Sequence, residues 1–313
     1  MSSRTKLFTF ACPRCHTPLE QAAADRLVCP ADQLSFPWVE GVWRMLLPER
    51  QGAFAQFIQE YETVRQAEGR GSPSAAYYQA LPYRDLSERM AADWQIRAAS
   101  FDAFLKQLLV PFEQVVGHPL TILDLGAGNG WLSNRIAMRG HRVAAVDLTT
   151  NDFDGLGCHR YYETIFVPVQ AEFDHLPFAN RSVDLVLFNA SLHYSTGFEK
   201  TLQESLRVLG PAGRLVILDT PFYRDQTSGE KMVRERQNQF EKKFGFPSNA
   251  LDSENYLTYQ RLADLAVNLD LDCQILTPFY GIGWALRPWK ARLFKRREPA
   301  RFHLVLFQAH SRN

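Results

Sequence analysis

The stretch TILDLGAGNGWLSNRIAMRGHRVAAVDL, Thr121–Leu148, decides the fold. It sets an apolar β-branched run, a glycine cluster, a helical pattern and a second β-run that ends in Asp147. Strand, glycine loop, helix and strand with a terminal acid is the unit that holds nucleotide-derived ligands in doubly wound α/β sheets. The loop itself runs Asp124, Leu125, Gly126, Ala127, Gly128, Asn129, Gly130. The dinucleotide fingerprint is G-x-G-x-x-G, whose backbone amides receive a pyrophosphate. Here the third glycine comes one residue early, and Asp124 adds a negative charge to the same neighbourhood. That charge repels a pyrophosphate and attracts an ammonium group.

Beyond the loop, the chain from Leu120 alternates strand and helix. Strand candidates are TILDLGA, HRVAAVDL, IFVPVQ, VDLVLFNA, RLVILDT, LDCQILTP and RFHLVLFQA. Their continuous Val/Ile/Leu runs suit strands covered on both faces, so a mostly parallel, doubly wound sheet is expected. The second strand ends in Asp147, placed to accept from both ribose hydroxyls. After the third comes QAEFDHLPF, where Glu172 can accept from an adenine amino group and Phe173 can cover the ring. The fourth ends in NASLHY, which sets Asn189 to Tyr194 above the carboxyl ends of the strands, where ligands bind in open sheets.

Ammonium, ribose and adenine together describe S-adenosylmethionine (SAM). The motifs ILDLGAGNGWLS, VDL with its acid, AEFDHLPFANRSVDLVLFNASLHY and LRVLGPAGRLVILD resemble those of the class I SAM-dependent methyltransferases. The resemblance is greatest to the branch that includes the ubiquinone/menaquinone-biosynthesis enzymes. It implies a Rossmann-like sheet of seven strands, six parallel and the last antiparallel. It also implies a cofactor wall made of Asp124, Gly126, Ala127, Gly128, Asn129, Gly130, Asp147, Leu148, Glu172, Phe173 and Asn189. The family usually has Asp at the position of Glu172; the longer side chain keeps the acceptor role and changes its reach. By analogy with related enzymes, an N-terminal helix folds over the cofactor. Tyr61 and Arg65, one turn apart, are expected at its methionine end, with Tyr77, Tyr78 and Arg84 as alternatives. His193 and Tyr194 face the sulfonium in this fold. His193 has the ordinary pKa of a base near neutrality, against the blander reading that it only shapes the pocket.

The N-terminal segment carries a second pattern. CPRCHTPL followed by LVCPADQLSFPW resembles the zinc ribbon of methyltransferase-activating proteins and of bacterial rRNA guanine methyltransferases. Two knuckles would supply Cys12 and Cys15, then Cys29 and Asp32, with Asp where those proteins have Cys or His. His16 is a further candidate ligand. The competing reading is a metal-free ribbon held by Phe36, Trp38 and Trp43. Any zinc would be structural, because four protein ligands leave no open position.

Three segments are therefore expected: a zinc-ribbon-like β segment over 1–48, a helical cap over 49–119, and the methyltransferase core over 120–313. A second long helix, SERMAADWQIRAASFDAFLKQLLVPF, is expected to stop at Pro111. The net charge of +1 over 313 residues gives no field to collect nucleic acid or an anionic surface. No apolar run approaches a membrane span, and the opening MSSRTKLFTFACPRC lacks the apolar core of a signal peptide, so a cytoplasmic enzyme is expected. The stretch from Phe279 to Trp289, with Tyr280 and Trp284, is aromatic enough to line an acceptor pocket with His193 and Tyr194. The basic run after it, Lys290, Arg292, Lys295, Arg296, Arg297 and Arg301, reads as a solvated face. The favoured function is methyl transfer to a small, apolar or aromatic acceptor. An rRNA or tRNA base methyltransferase, suggested by ribbon plus core, and a noncatalytic SAM-fold partner protein stand as alternatives.

Overall fold

A computed structural model describes residues 7–310. The ribbon contributes β1 (Glu20–Ala23), β2 (Arg26–Val28), β3 (Ser35–Val39) and β4 (Val42–Arg44). The cap follows as α1 (Pro48–Ala67), α2 (Ala75–Ala80), α3 (Ala91–Phe104) and α4 (Val110–Val116). The core alternates β5 (Thr121–Leu125), α5 (Trp131–Ala137), β6 (Arg142–Asp147), β7 (Val167–Gln170), β8 (Val183–Asn189), α6 (Phe198–Val208) and β9 (Leu209–Leu218). Then come β10 (Phe222–Tyr223), α7 (Gln226–Phe244), β11 (Leu257–Thr258), α8 (Tyr259–Asn268), β12 (Leu271–Leu276), α9 (Ile282–Ala285), α10 (Arg287–Leu293) and β13 (Leu304–Ala309).

The seven core strands lie in the order β7-β6-β5-β8-β9-β13-β12. All run parallel except β13, which is antiparallel to both β9 and β12. Alternate residues of each strand enter two separate apolar layers. Leu123, Leu125, Ala144 and Val146 face one, while Ile122, Val143 and Ala145 face the other. That two-sided burial is why the strands read as unbroken apolar runs rather than as alternating ones. Strand order reverses between β5 and β8, and the crevice at that switch point is where the glycine loop opens.

Two features differ from the sequence reading. Pro111 does not stop the second cap helix. Instead, the turn just before it, Leu105–Leu109, widens to an i→i+5 register, and α4 then carries Pro111 in its first turn and ends at Gly117 with φ 72°. The wider turn accommodates the ring and the missing N–H that would otherwise break the helix. The ribbon is also not a separate bead. β3 pairs with β4, and β4 pairs in parallel with β7 through Trp43–Val169 and Arg44–Gln170, so the sheet continues to eleven strands. Phe10, Trp43 and Phe178 meet at ring distances of 5.5–6.0 Å in the same apolar layer as the core strands. The ribbon thus covers an edge strand that would otherwise present unpaired backbone groups.

Candidate active site

The carboxyl ends of β5 to β8 open into a cavity. Its floor is the glycine loop. Gly126, Gly128 and Gly130 all take the left-handed region, at φ 76°, 54° and 80°. A Cβ on Gly126 would stand 2.3 Å from the Ser191 side chain, while one on Gly128 would meet nothing closer than 3.5 Å. Gly126 is therefore needed for close packing, and Gly128 leaves backbone open to the cavity. The Asp147 carboxylate accepts from the Gly128 N–H at 2.8 Å, from the Thr149 N–H at 2.8 Å and from its hydroxyl at 2.7 Å. Burial raises its pKa, and these bonds oppose the rise. The acid after β6 therefore ties loop and strand end together as well as facing the cavity.

Gly126, Ala127, Gly128, Asn129, Asp147, Leu148, Glu172, Phe173 and Asn189 all line this cavity, together with Tyr61 and Arg65. Tyr61 and Arg65 come from α1, hydrogen-bonded to each other, with the guanidinium 4.6 Å from the ring centroid and 3.4 Å from Asp154. The Glu172 carboxylate is clasped bidentately by Arg50 at 2.8 and 2.9 Å. Phe173 stands edge-on to Phe188 and is fixed by it.

Asp124 and Gly130 are brought close but are not in the wall. Asp124 is 1% exposed, accepts from the Ser133 hydroxyl at 2.7 Å, and keeps one oxygen without a partner. It lies behind the loop against α5, so direct contact with an ammonium group is corrected to a position one layer back. Burial pushes its pKa up to about 7. Gly130 begins α5, where an added Cβ would strike Phe166 at 2.8 Å. Of the alternative cap residues, Tyr77 and Tyr78 are buried in the helical layer, and Arg84 lies outside the cavity.

A second chamber adjoins the first, and Phe57, Tyr61, Arg65, Arg97, Ala190 and Tyr194 are among the residues that border both. His193 and Tyr194 sit on the short turn after β8; Tyr194 borders both spaces and His193 the second. Burial, with Arg236, Arg65 and Arg97 nearby, lowers the His193 pKa to about 3, and its buried Nδ1 has no partner. The imidazole is therefore neutral and a poor base, which corrects the expectation of a base matched to neutral pH.

The aromatic lining expected from Phe279, Tyr280, Trp284 and Trp289 is overturned. None of the four borders either cavity, and Phe279 and Trp289 are 74% and 63% exposed. Tyr280 and Trp284 only back the chamber, through a 2.9 Å bond to the Ser100 hydroxyl and a stack on Phe302. In their place stand arginines that the sequence reading did not select. Arg97 sits over Trp94 at 5.1 Å, between the two cavities, and Arg236 bonds the Asn255 side chain. Among the described residues, neither is within ion-pair distance of a carboxylate. The carboxylate that balances Arg97 at longer range is Asp219. It is bonded to Ser100, has one unpartnered oxygen, and is pushed up to about 6 by burial. Nothing local could have singled these residues out: Arg97 lies on an amphipathic helix and Arg236 in a charge-rich one.

In the ribbon, the donor atoms of Cys12, Cys15, Cys29 and Asp32 all lie within 4.8 Å of one another. Cys12 Sγ is 3.2 Å from Asp32 Oδ2, and Cys15 Sγ is 3.5 Å from Cys29 Sγ. Bonds of about 2.0–2.3 Å to a tetrahedral zinc require donor separations of this size. His16 is not part of the cluster.

A strand-end acid, a glycine floor and an aromatic wall thus meet at the switch point, the arrangement expected of a SAM-binding cavity. Residues 123–217 match the family model described as methyltransferase domain, and residues 9–41 match that described as Trm112p-like protein. The chain is 31% identical over 156 residues to malonyl-[acyl-carrier protein] O-methyltransferase of Hahella chejuensis, covering 45% of this chain and 55% of that one. It is 32% identical over 114 residues to malonyl-[acyl-carrier protein] O-methyltransferase 1 of Coxiella burnetii, covering 36% and 38%. The chain thus spans between a third and about half the length of these relatives. A SAM-dependent methyltransferase of Thermotoga maritima, described as a possible histamine N-methyltransferase, superposes with a TM-score of 0.44 at 13% identity over 83% of this chain and 100% of that one.

Proposed function

We propose that the chain transfers the methyl group of SAM to a small acceptor that carries an anionic group, with a carboxylate as the nucleophile. The observation that carries this reading is the second chamber: two guanidiniums, Arg97 and Arg236, face a space joined to the glycine-floored cavity and have no ion-pair partner. Two half-buried guanidiniums with no carboxylate in ion-pair distance are ready donors for a ligand anion. Bound in the first cavity, SAM supplies an electrophilic methyl carbon on its sulfonium. Asp147, Leu148, Glu172 and Phe173 would hold its nucleoside part, and Tyr61 and Arg65 its methionine end.

What the chain contributes is orientation. Arg97 lies between the two spaces and would fix an acceptor anion beside the first cavity, and Arg236 would take its outer oxygen. Tyr194 closes the wall against Phe57 and Tyr61 at ring distances of 5.9 Å and helps exclude water. A carboxylate is ionised at neutral pH, so the transfer needs no base, and this suits a histidine with a pKa of about 3. The matched relatives are named for O-methylation of a malonyl group, which supports an oxygen acceptor of this kind.

Asp219 favours one other reading. With a pKa of about 6 and one unpartnered oxygen, on a residue that borders the chamber, it has the properties of a base for a neutral hydroxyl acceptor. The two readings differ in pH dependence. A carboxylate acceptor gives methyl transfer that is flat from about pH 6 to 8, whereas an Asp219 base gives a rate that climbs through about pH 6. The experiment is label transfer from methyl-tritiated SAM into pooled small acids and fractionated extract. The expected product releases volatile methanol in alkali, as a methyl ester does. Label found only in RNA, or in an alkali-stable small molecule, would contradict the carboxylate reading.

A further inference from the structure

The segment from Phe279 to Arg297 is the most unusual surface of the molecule. It holds Phe279, Ile282, Leu286, Trp289, Leu293 and Phe294, all exposed, at 44–74%. It contains six Lys or Arg residues and no Asp or Glu. The two short helices run almost continuously. Leu286 closes α9 and opens α10, with N–H bonds from Leu286 to Ile282 and from Lys290 to Leu286.

At about 100° per residue, Ile282, Leu286, Trp289 and Leu293 fall within roughly 60° of one another on a single face. Lys290 and Arg292 flank that stripe at about 80° on either side. The opposite face is the one that docks on the protein. Trp284 stacks on Phe302, with the Arg287 guanidinium 3.7 Å from its ring centroid. The stripe is therefore not the unused half of a packed helix. It is an apolar band turned outward, bordered by cations and continued by the exposed Lys295 and Arg296. Lys295 and Arg296 line a surface groove with Lys231, Lys290 and Arg297, the last of these paired with Glu235.

We propose that this band lies on an anionic lipid bilayer surface, with Ile282, Leu286, Trp289 and Leu293 entering the headgroup–acyl boundary and the flanking cations pairing with headgroup phosphates. Apolar and aromatic side chains on one face with Lys and Arg beside them are what an interfacial helix needs. Acidic side chains would be repelled by anionic lipid, and this segment has none. A net charge of +1 gives the whole molecule no long-range attraction, so the exposed cations Lys290, Arg292, Lys295 and Arg296 supply it locally, while Arg287 packs on Trp284 and Arg297 pairs with Glu235. Each exposed large apolar side chain also gains by leaving water. The same segment backs the second chamber through Tyr280–Ser100–Asp219 and Trp284–Phe302, so docking would set the chamber wall against the lipid. The proposal does not rest on methyl transfer.

The test is flotation of the full chain with vesicles of phosphatidylcholine containing about one third phosphatidylglycerol, beside vesicles of phosphatidylcholine alone. Two double variants accompany the wild type: Trp289→Ser with Leu293→Ser, and Lys290→Glu with Arg292→Glu. All four positions are exposed, and unchanged melting temperatures show that the fold is kept. The wild type is expected to float with the anionic vesicles, about tenfold less with neutral ones, and each double variant about tenfold less than wild type. No flotation on anionic vesicles, or equal flotation of wild type and variants, overturns the proposal. So does a wild-type dimer that the Trp289/Leu293 variant splits, which would assign the stripe to a second copy of the chain. Retention on an acidic protein but not on anionic vesicles would assign it to such a partner, and equally overturns it.

Discussion

Asp124 shows what burial does to an ordinary carboxyl group. Asp124 ionises near 3.8 when the chain is unfolded and near 7 when folded. Between those values the unfolded state sheds its proton first, so this group's contribution to stability falls as pH rises from about 4 to 7 and stays lost above. Asp124→Asn is therefore expected to melt above wild type at about pH 9, by an upper bound on the order of 4 kcal/mol, with the difference vanishing near pH 4. Melting curves across pH check it. Arg236 borders the second chamber and not the glycine-floored cavity. Arg236→Gln is expected to lower kcat/KM for a carboxylate acceptor by roughly 10- to 100-fold, with affinity for S-adenosylhomocysteine unchanged; steady-state kinetics and calorimetry read the two. The glycine loop, Asp147 and Glu172 were legible in the sequence because each sits at a strand end, where position and residue type coincide. Arg97 and Arg236 were not, since an arginine on a charged helix has the same local pattern whether solvent or a cavity faces it.

At the scale of elements, the ribbon and the segment after β12 diverge from what their sequences suggest. CPRC and the later CPAD read as a ribbon, and its four donors come together as that reading requires. What the sequence did not reveal is that β4 would pair with β7, because pairing across more than 120 residues leaves no local mark. One consequence can be measured. Removing metal from the ribbon, by chelation or by Cys29→Ser, is expected to lower the melting temperature of the whole chain in a single transition, since β4 and β7 share a ladder and an apolar layer. Calorimetry that shows an unchanged main transition, with or without a small early one, would detach the ribbon from the core. The aromatic segment failed as pocket lining for a different reason. Aromatic content says that a stretch gains by burial, and only its 3.6-residue periodicity says which face is turned outward. The π turn before Pro111 is a third case: the proline was visible, but the helix absorbed it by widening one turn instead of ending.

For the molecule as a whole, one sheet of eleven strands with an apolar layer on each face carries both the ribbon and the methyltransferase domain. Cap helices α1 and α3 close the switch-point crevice from above and bring the tyrosine and arginines that divide it into two connected spaces. The charge is nearly balanced overall and strongly uneven locally, with arginines around the inner chamber and a cationic strip outside. The central claim is that the glycine-floored cavity holds SAM. Isothermal titration of the full-length chain with S-adenosylhomocysteine, wild type beside Gly128→Val, tests it most directly. One site per chain is expected, with a dissociation constant on the order of micromolar, abolished by the valine side chain while the fold persists. A folded wild-type protein that gives no binding heat up to about 1 mM, or a Gly128→Val protein that binds as wild type does, would contradict it.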